Sequence, residues 1–217
     1  MHIEILIEDS SGKKLLQVLL PQLLGPQGQP HTWRLFDYKG IGRIPHGLVP
    51  KTDAAKRILL DRLPKQLSGY GKTPGIDAVV VVVDTDKRDC AAFLAELKAV
   101  AAACNPAPNT MFRLAIEEIE AWYLGDQQAL LAAYPRAKRD VLGKYIQDSA
   151  CGTWELLADA LHKGGSAAIK KAGGRLPGQV KHEWAEKIGP LMNPERNVSP
   201  SFRKLRDGLR RLVAGAD

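Results

Sequence analysis

Residues 79 to 86 read Val79-Val80-Val81-Val82-Val83-Asp84-Thr85-Asp86, five valines running straight into two aspartates. Valine is β-branched, and an unbroken apolar run leaves neither face of a strand polar, so this segment is expected at the centre of a parallel sheet covered on both sides. In open α/β sheets ligands gather beyond the carboxyl ends of the strands, which is where Asp84 and Asp86 fall. Side chains two residues apart in extended chain point the same way. Two carboxylates ~4 Å apart at an effective dielectric of ~20 repel by about 4 kcal/mol. A fold keeps such a pair if a cation neutralises it, if one group holds its proton, or if both splay into water. A divalent cation held by oxygen ligands is the sharper of these readings, solvated strand-end aspartates the plainer one.

The chain around this segment alternates. Residues 2–7 are expected to form a first strand that delivers Glu8 to its end, and 13–24, with leucines at helical spacing, a helix closed by Gly25-Pro26. A second strand at 32–36 leads into a loop rich in Gly, Lys and Arg over 37–50. The pattern then predicts a helix over 52–68 with Thr52 as its cap, the valine strand, a helix over 90–104, a strand over 110–116 ended by Glu117, and a helix over 118–133. Strand and helix alternating in this way argue for an α/β fold, an open parallel sheet flanked by helices, over residues 1–134. From residue 135 to 217 the pattern turns helical and more basic. Helices are expected there near 138–148, 153–162, 181–191 and 200–213, with a loop over 173–178, as an extension packed on the sheet domain.

Charge is unevenly placed along the chain. Residues 1–125 hold 15 Lys and Arg against 14 Asp and Glu, residues 126–217 hold 16 against 10, and the segment 31–75 holds nine against three. An acidic focus in an otherwise basic protein fits a metal centre acting on a polyanion, with carboxylates for the metal and cations for phosphates. A basic protein with no nucleic-acid partner is the competing reading. No stretch approaches the ~20 apolar residues of a membrane span. Met1-His2-Ile3-Glu4 has no basic segment before an apolar run, so a cytoplasmic location is expected. Cys90, Cys104 and Cys151 lie far apart without CxxC spacing and read as reduced thiols.

Other motifs fall away on inspection. Gly71-Lys72-Thr73 lacks the first glycine of a phosphate loop and precedes a strand instead of a helix; Gly40-Ile41-Gly42-Arg43 lacks the third glycine of a dinucleotide fingerprint and reads as a flexible basic loop. The five histidines form no HxH or HExxH pair, and no serine sits in GxSxG. Any chemistry here rests on carboxylates.

A glutamate ending the first strand, then a hydrophobic strand ending in DxD, resembles the Toprim domain, the metal-binding fold of topoisomerases, primases and OLD-family nucleases. The wider pattern Ile7-Glu8-Asp9-Ser10-Ser11-Gly12, Ala115-Ile116-Glu117-Glu118-Ile119-Glu120-Ala121-Trp122-Tyr123-Leu124-Gly125-Asp126 and Asn197-Val198-Ser199-Pro200-Ser201-Phe202 is similar, along nearly the whole chain, to an uncharacterised family of small bacterial Toprim-like proteins. The resemblance implies that Glu8 is a metal ligand or general base, that Asp84 and Asp86 are ligands, and that Glu117 and Glu120 bring acid to a second metal, the cofactor being Mg²⁺ or Mn²⁺. It further implies a role in phage defence and an ATPase partner. Where Toprim nucleases often carry another acid four residues after the first glutamate, this chain has Gly12, so either Asp9 substitutes or the second metal is weak. Lys187 or Lys181 would supply the cation that steadies the transition state.

The activity so implied is phosphodiester hydrolysis on DNA or RNA. Lys39, Arg43, Lys51 and Lys72 of the basic segment and Arg203 and Arg210 of the last helix would hold the strand. Two rivals stand beside it: a DxD phosphatase or phosphotransferase with Asp84 as nucleophile, and a non-catalytic regulatory or nucleic-acid-binding subunit. Against the first, such a nucleophile usually closes the first strand of its domain, and Asp84 closes the third.

Overall fold

The computed structural model describes residues 1–49 and 54–215. Four strands, β1 (His2–Ile7), β2 (Thr32–Asp37), β3 (Ala78–Asp84) and β4 (Thr110–Ala115), pair in the order β2-β1-β3-β4, and every pairing is parallel. The valine run is β3, an inner strand, and none of its five valines is more than 1 % exposed. At about 1.5–3 kcal/mol for each fully buried valine, this run anchors the sheet. The expected open parallel α/β sheet, flanked by helices and followed by a helical region, is what the chain forms.

The helices are α1 (Ser10–Leu24), α2 (Leu59–Gly71), α3 (Cys90–Ala102), α4 (Glu120–Leu124), α5 (Gln127–Ala133), α6 (Arg139–Leu142), α7 (Thr153–Leu161), α8 (Gly165–Ala172), α9 (Leu176–Ile188) and α10 (Pro200–Ala214). Alternation along the strands sorts the core into two layers. Val80 and Val82 join Ile3, Ile5, Ile7 and Trp33 in the larger one, with Leu15 and Leu19 of α1, Trp184 of α9 and Phe202 of α10. Val79, Val81 and Val83 face the other way, against Leu63 and Leu67 of α2 and Phe93 and Leu97 of α3. Leu157 and Ile169, from α7 and α8, belong to the first layer, so residues beyond 134 are built into the same core as the sheet. Among the described residues no helix is long and apolar enough to cross a membrane.

Several helix boundaries differ from the periodicity. The helix expected from residue 52 begins at Leu59, preceded by a short 3₁₀ turn at Ala54–Lys56, while Thr52 and Lys51 lie outside the described residues. The single helix expected over 118–133 is two, α4 and α5, broken at Gly125-Asp126. The reason is tertiary. A Cβ on Gly125 would stand 2.2 Å from Asn197 Oδ1 and 2.8 Å from Ser199 Cβ, so the chain of 197–199 presses directly on this backbone. Asp126 leaves the helix to cap α5, accepting from the Ala129 amide at 3.2 Å, while Arg196 grips both its oxygens at 2.8 and 2.9 Å. The helix expected over 138–148 shrinks to the four residues of α6, α8 was not expected at all, and α9 starts at Leu176, five residues before the expected point and inside the expected loop.

Candidate metal centre

Parallel pairing carries Glu8 and Asp84 to one edge of the sheet. Ile7 stands beside Val82, and one residue on, Glu8 Oε2 accepts a hydrogen bond from the Asp84 amide at 3.3 Å. Burial pushes the Glu8 carboxyl up to about 7, assisted by the charges of Asp86 and Asp9 and opposed by the Asp84 amide and Lys181. Burial and the charges of Glu8 and Glu120 likewise raise Asp84 well above the ordinary carboxylate range. Glu118 completes the group: burial and the Glu120 charge push it up to about 7. Three acids that prefer to keep their protons in one place mark a locus of excess negative charge.

The counter-cation is Lys181 of α9. Its Nζ lies 3.2 Å from Glu120 Oε1 and 3.5 Å from Glu118 Oε1, and it feels the charges of Asp84 and Asp9 as well. Burial alone would lower its pKa, yet these acids raise it. Helix α9 is held in place against the start of α1, where Ser10 Oγ and His182 Nε2 are 2.8 Å apart and Lys14 pairs with Glu186 at 2.9 Å. Glu120 is delivered by α4, and α4 is fixed by the segment 197–202. Asn197 donates to the Trp122 carbonyl at 2.8 Å, Trp122 Nε1 donates to Ser201 Oγ at 3.0 Å, and Asp148 accepts from the Ser201 amide at 2.6 Å and the Ser199 hydroxyl at 2.8 Å. This serine-rich segment therefore bears on the centre through α4.

Not every residue singled out in the sequence arrives there. The strand ends at Asp84; Asp86 adopts a left-handed backbone with φ of 49°, which breaks the two-residue alternation, and its carboxylate turns outward to Arg88 at 3.1 Å. Asp86 thus borders the centre at its rim. Glu117 is also left-handed, with φ of 59°, and its carboxylate leaves the centre for the start of α7. There it accepts from the amides of Cys151 (3.0 Å), Gly152 (2.9 Å) and Thr153 (2.8 Å) and from the Thr153 hydroxyl. Burial would raise its pKa, but these hydrogen bonds overcome it and hold the group ionised. The acid beside Glu120 at the centre is Glu118, one residue further on, which two adjacent glutamates in sequence could not distinguish. Lys187 is turned to the surface, 2.6 Å from Glu183 and over the Tyr134 ring; Lys181 is the lysine that reaches the acids.

Asp9 does not replace the acid absent at Gly12. It caps α1, its Oδ1 accepting from the Gly12 amide at 2.7 Å and its Oδ2 from Ser11 Oγ at 2.8 Å. A Cβ at Gly12 would lie 2.7 Å from Ile7 Cδ1 and 3.2 Å from Ile119 Cδ1, so a side chain there would have to displace the ends of these two isoleucines. Among the described residues no three Asp, Glu, His or Cys side chains close around a common point as metal ligands.

The cations expected to hold a strand are dispersed. Lys39 and Arg43 lie exposed on the loop after β2, whose Gly40 amide donates to the Glu8 carbonyl at 3.2 Å, so this loop adjoins the centre. Arg88, which sequence reasoning passed over, links Asp86 to the Gly42 carbonyl of the same loop. Lys72 sits at the far end of α2, a helix that runs from the Gly40-Ile41 backbone away from the acids. Arg203 is tied to the Asn197 carbonyl and Arg210 to Glu195, and Lys51 lies outside the described residues. A cleft of about 340 Å³ opens onto the rim, lined by Asp86, Lys87, Glu117, Glu118, Trp154 and Glu155.

The fold and the centre define an α/β protein with an acidic site at the carboxyl edge of a parallel sheet. The chain belongs to the family described as domain of unknown function DUF4276, whose model matches residues 7–210. No curated protein and no solved structure matches it.

Proposed function

We propose that this protein hydrolyses phosphodiester bonds of nucleic acid with the help of Mg²⁺ or Mn²⁺, in the manner of the Toprim domain that its sequence resembles. The observation that carries this reading is the meeting of Glu8 and Asp84 at the ends of adjacent parallel strands, with the Lys181 ammonium set against five nearby carboxylates, those of Glu8, Asp9, Asp84, Glu118 and Glu120. The donor chemistry fits: Mg²⁺ is commonly held by one or two carboxylates and completes its shell with water and substrate phosphate. Glu8 and Asp84 would hold the ion, with Asp86 at the rim. A bound ion would polarise a phosphate oxygen and lower the pKa of water near it.

The protein's own groups supply the rest. Lys181 faces the place where negative charge would develop, and the loop carrying Lys39 and Arg43 would engage the flanking phosphates. A role in phage defence beside an ATPase partner goes with this reading through the same resemblance. A second reading, a regulatory or nucleic-acid-binding subunit without catalysis, draws on the fact that the described acids do not close into a three-ligand set. The test is cleavage of single- and double-stranded DNA and RNA in Mg²⁺ or Mn²⁺, with and without an ATPase partner. Wild type should cut and Asp84→Asn should lose on the order of 100-fold, about 3 kcal/mol of barrier. Failure of wild type to cut anything, or equal cutting by both, removes the nuclease and leaves the subunit.

A further inference from the structure

We propose that the open edge of β4 is a docking site for an extended acidic peptide of a partner protein, which adds a fifth strand to the sheet and alternates acidic with apolar side chains. None of the residues of the acidic centre lines this groove, so the inference does not depend on the metal-dependent reading.

Strand β4 ends the sheet. The Val79 and Thr85 amides donate to the Asn109 and Ala115 carbonyls, so the odd-numbered residues of β4 turn their backbone groups to β3, and Phe112 and Leu114 turn theirs outward. Arg113 Nη1 takes the Phe112 carbonyl at 2.7 Å, while the Phe112 amide and both backbone groups of Leu114 have no partner among the described residues. Such a row of groups is a template for a further strand. A cleft of about 480 Å³ runs along it between α3 and α10. At ~3.3 Å per residue, a segment of about five residues covers Phe112 to Ile116. The two walls of the cleft differ. On the α3 side stand Leu94, Phe112 and Leu114. On the α10 side stand Arg113, Lys204 and Arg211, and among the described residues none of the three forms an ion pair, because the acids nearby are taken. Asp148 accepts from Ser199 and Ser201, and Glu195 and Asp207 pair with Arg206 and Arg210. Arg113 is fixed beneath α10, donating to the Lys204 carbonyl at 2.9 Å, and a Cβ on Gly208 would fall 2.0 Å from its Nη2. Burial and the neighbouring Arg211 charge hold its pKa below the ordinary value, as expected of a cation without a counter-charge. Successive side chains of an added strand point to opposite faces. Acids at alternate positions then meet these cations, and apolar side chains between them meet Leu94 and Leu114. Pairing of this edge with a second copy of itself would set the cations against one another, which disfavours a dimer through it. A free phosphate would answer the cations and leave the Leu114 backbone and the apolar wall unused.

The probe is a blocked heptapeptide of alternating glutamate and valine, titrated into the full chain by calorimetry and by amide hydrogen exchange. The peptide should bind, and the outward amides of Phe112 and Leu114 should exchange more slowly in its presence. A peptide with lysine in place of glutamate should not bind, and one N-methylated on alternate amides should lose affinity. Lys204→Glu combined with Arg211→Glu should weaken binding roughly tenfold or more; both side chains are exposed, so the fold is not at risk. Inorganic phosphate and a short single-stranded oligonucleotide serve as competitors and should displace the peptide poorly. No binding of the glutamate–valine peptide, or equal binding by the charge-reversed variant, would overturn the inference. So would binding that leaves the Leu114 amide unprotected, or that phosphate or the oligonucleotide abolishes at concentrations matching the peptide's, since the groove would then be a general anion patch.

Discussion

Replacing Glu8 by glutamine should stabilise the protein at neutral pH, the reverse of what deleting a buried polar contact usually does. In the fold the Glu8 carboxyl sits at about 7, against 4.5 unperturbed. Between those values the folded state binds the proton more tightly than the unfolded state, so stability falls as pH rises through this window. At 1.36 kcal/mol per pH unit, the interval amounts to about 3 kcal/mol, fully expressed above pH ~7 and absent below ~4.5. Glutamine carries no charge at any pH and keeps the oxygen that accepts from the Asp84 amide. Glu8→Gln should therefore equal wild type near pH 4.5 and exceed it by about 2–3 kcal/mol at pH 8. The assay is equilibrium urea denaturation from pH 4.5 to 8 in a chelator, comparing the two proteins at each pH so that the contribution of Glu118 largely cancels, while relieving Asp84 of the Glu8 charge acts in the same direction and adds to the variant's advantage. In the metal-dependent reading, adding Mg²⁺ at pH 8 should stabilise wild type and leave Glu8→Gln nearly unmoved. A difference that does not grow with pH, or a variant weaker than wild type at pH 8, would refute the argument that Glu8 is held in a crowded, desolvated acid group.

Three further outcomes are expected. Glu117→Gln should lower stability by about 2–3 kcal/mol, since it weakens charge-assisted hydrogen bonds to three amides and a hydroxyl, yet leave Mn²⁺ binding unchanged; a variant of native stability that has lost the ion would restore Glu117 as a ligand. Gly125→Ala should cost about 1–3 kcal/mol by forcing Asn197 and Ser199 off the α4 backbone, read as a drop of roughly 2–12 °C in Tm; an unchanged Tm would contradict the close approach. Binding to single- or double-stranded nucleic acid should weaken steeply between ~50 and ~200 mM salt, and a constant affinity over that range would exclude a phosphate-dominated contact.

The strand pattern was legible because its cause is local. An apolar β-branched run buried on both faces has one use in a parallel sheet, and the valines of β3 announce it without reference to the rest of the chain. The same logic placed Glu8 and Asp84 at strand ends, and parallel pairing then brings such ends to one edge. What the sequence did not contain is the direction in which each acid turns after its strand stops. Asp86 and Glu117 both enter the left-handed region; the first turns to Arg88 two residues on, which also reaches the distant Gly42 carbonyl, and the second to the distant amides opening α7. Likewise a side chain at position 12 would meet the ends of Ile7 and Ile119, and the helix over 118–133 breaks because residues 197–199 press on Gly125. Lys181 could not be told from Lys187 by spacing, since both sit on α9; burial against the acids separates them, and that is decided by how α9 is docked on α1. Local chemistry fixes which elements form, while the placement of charge between elements waits on the packing that sets their distances.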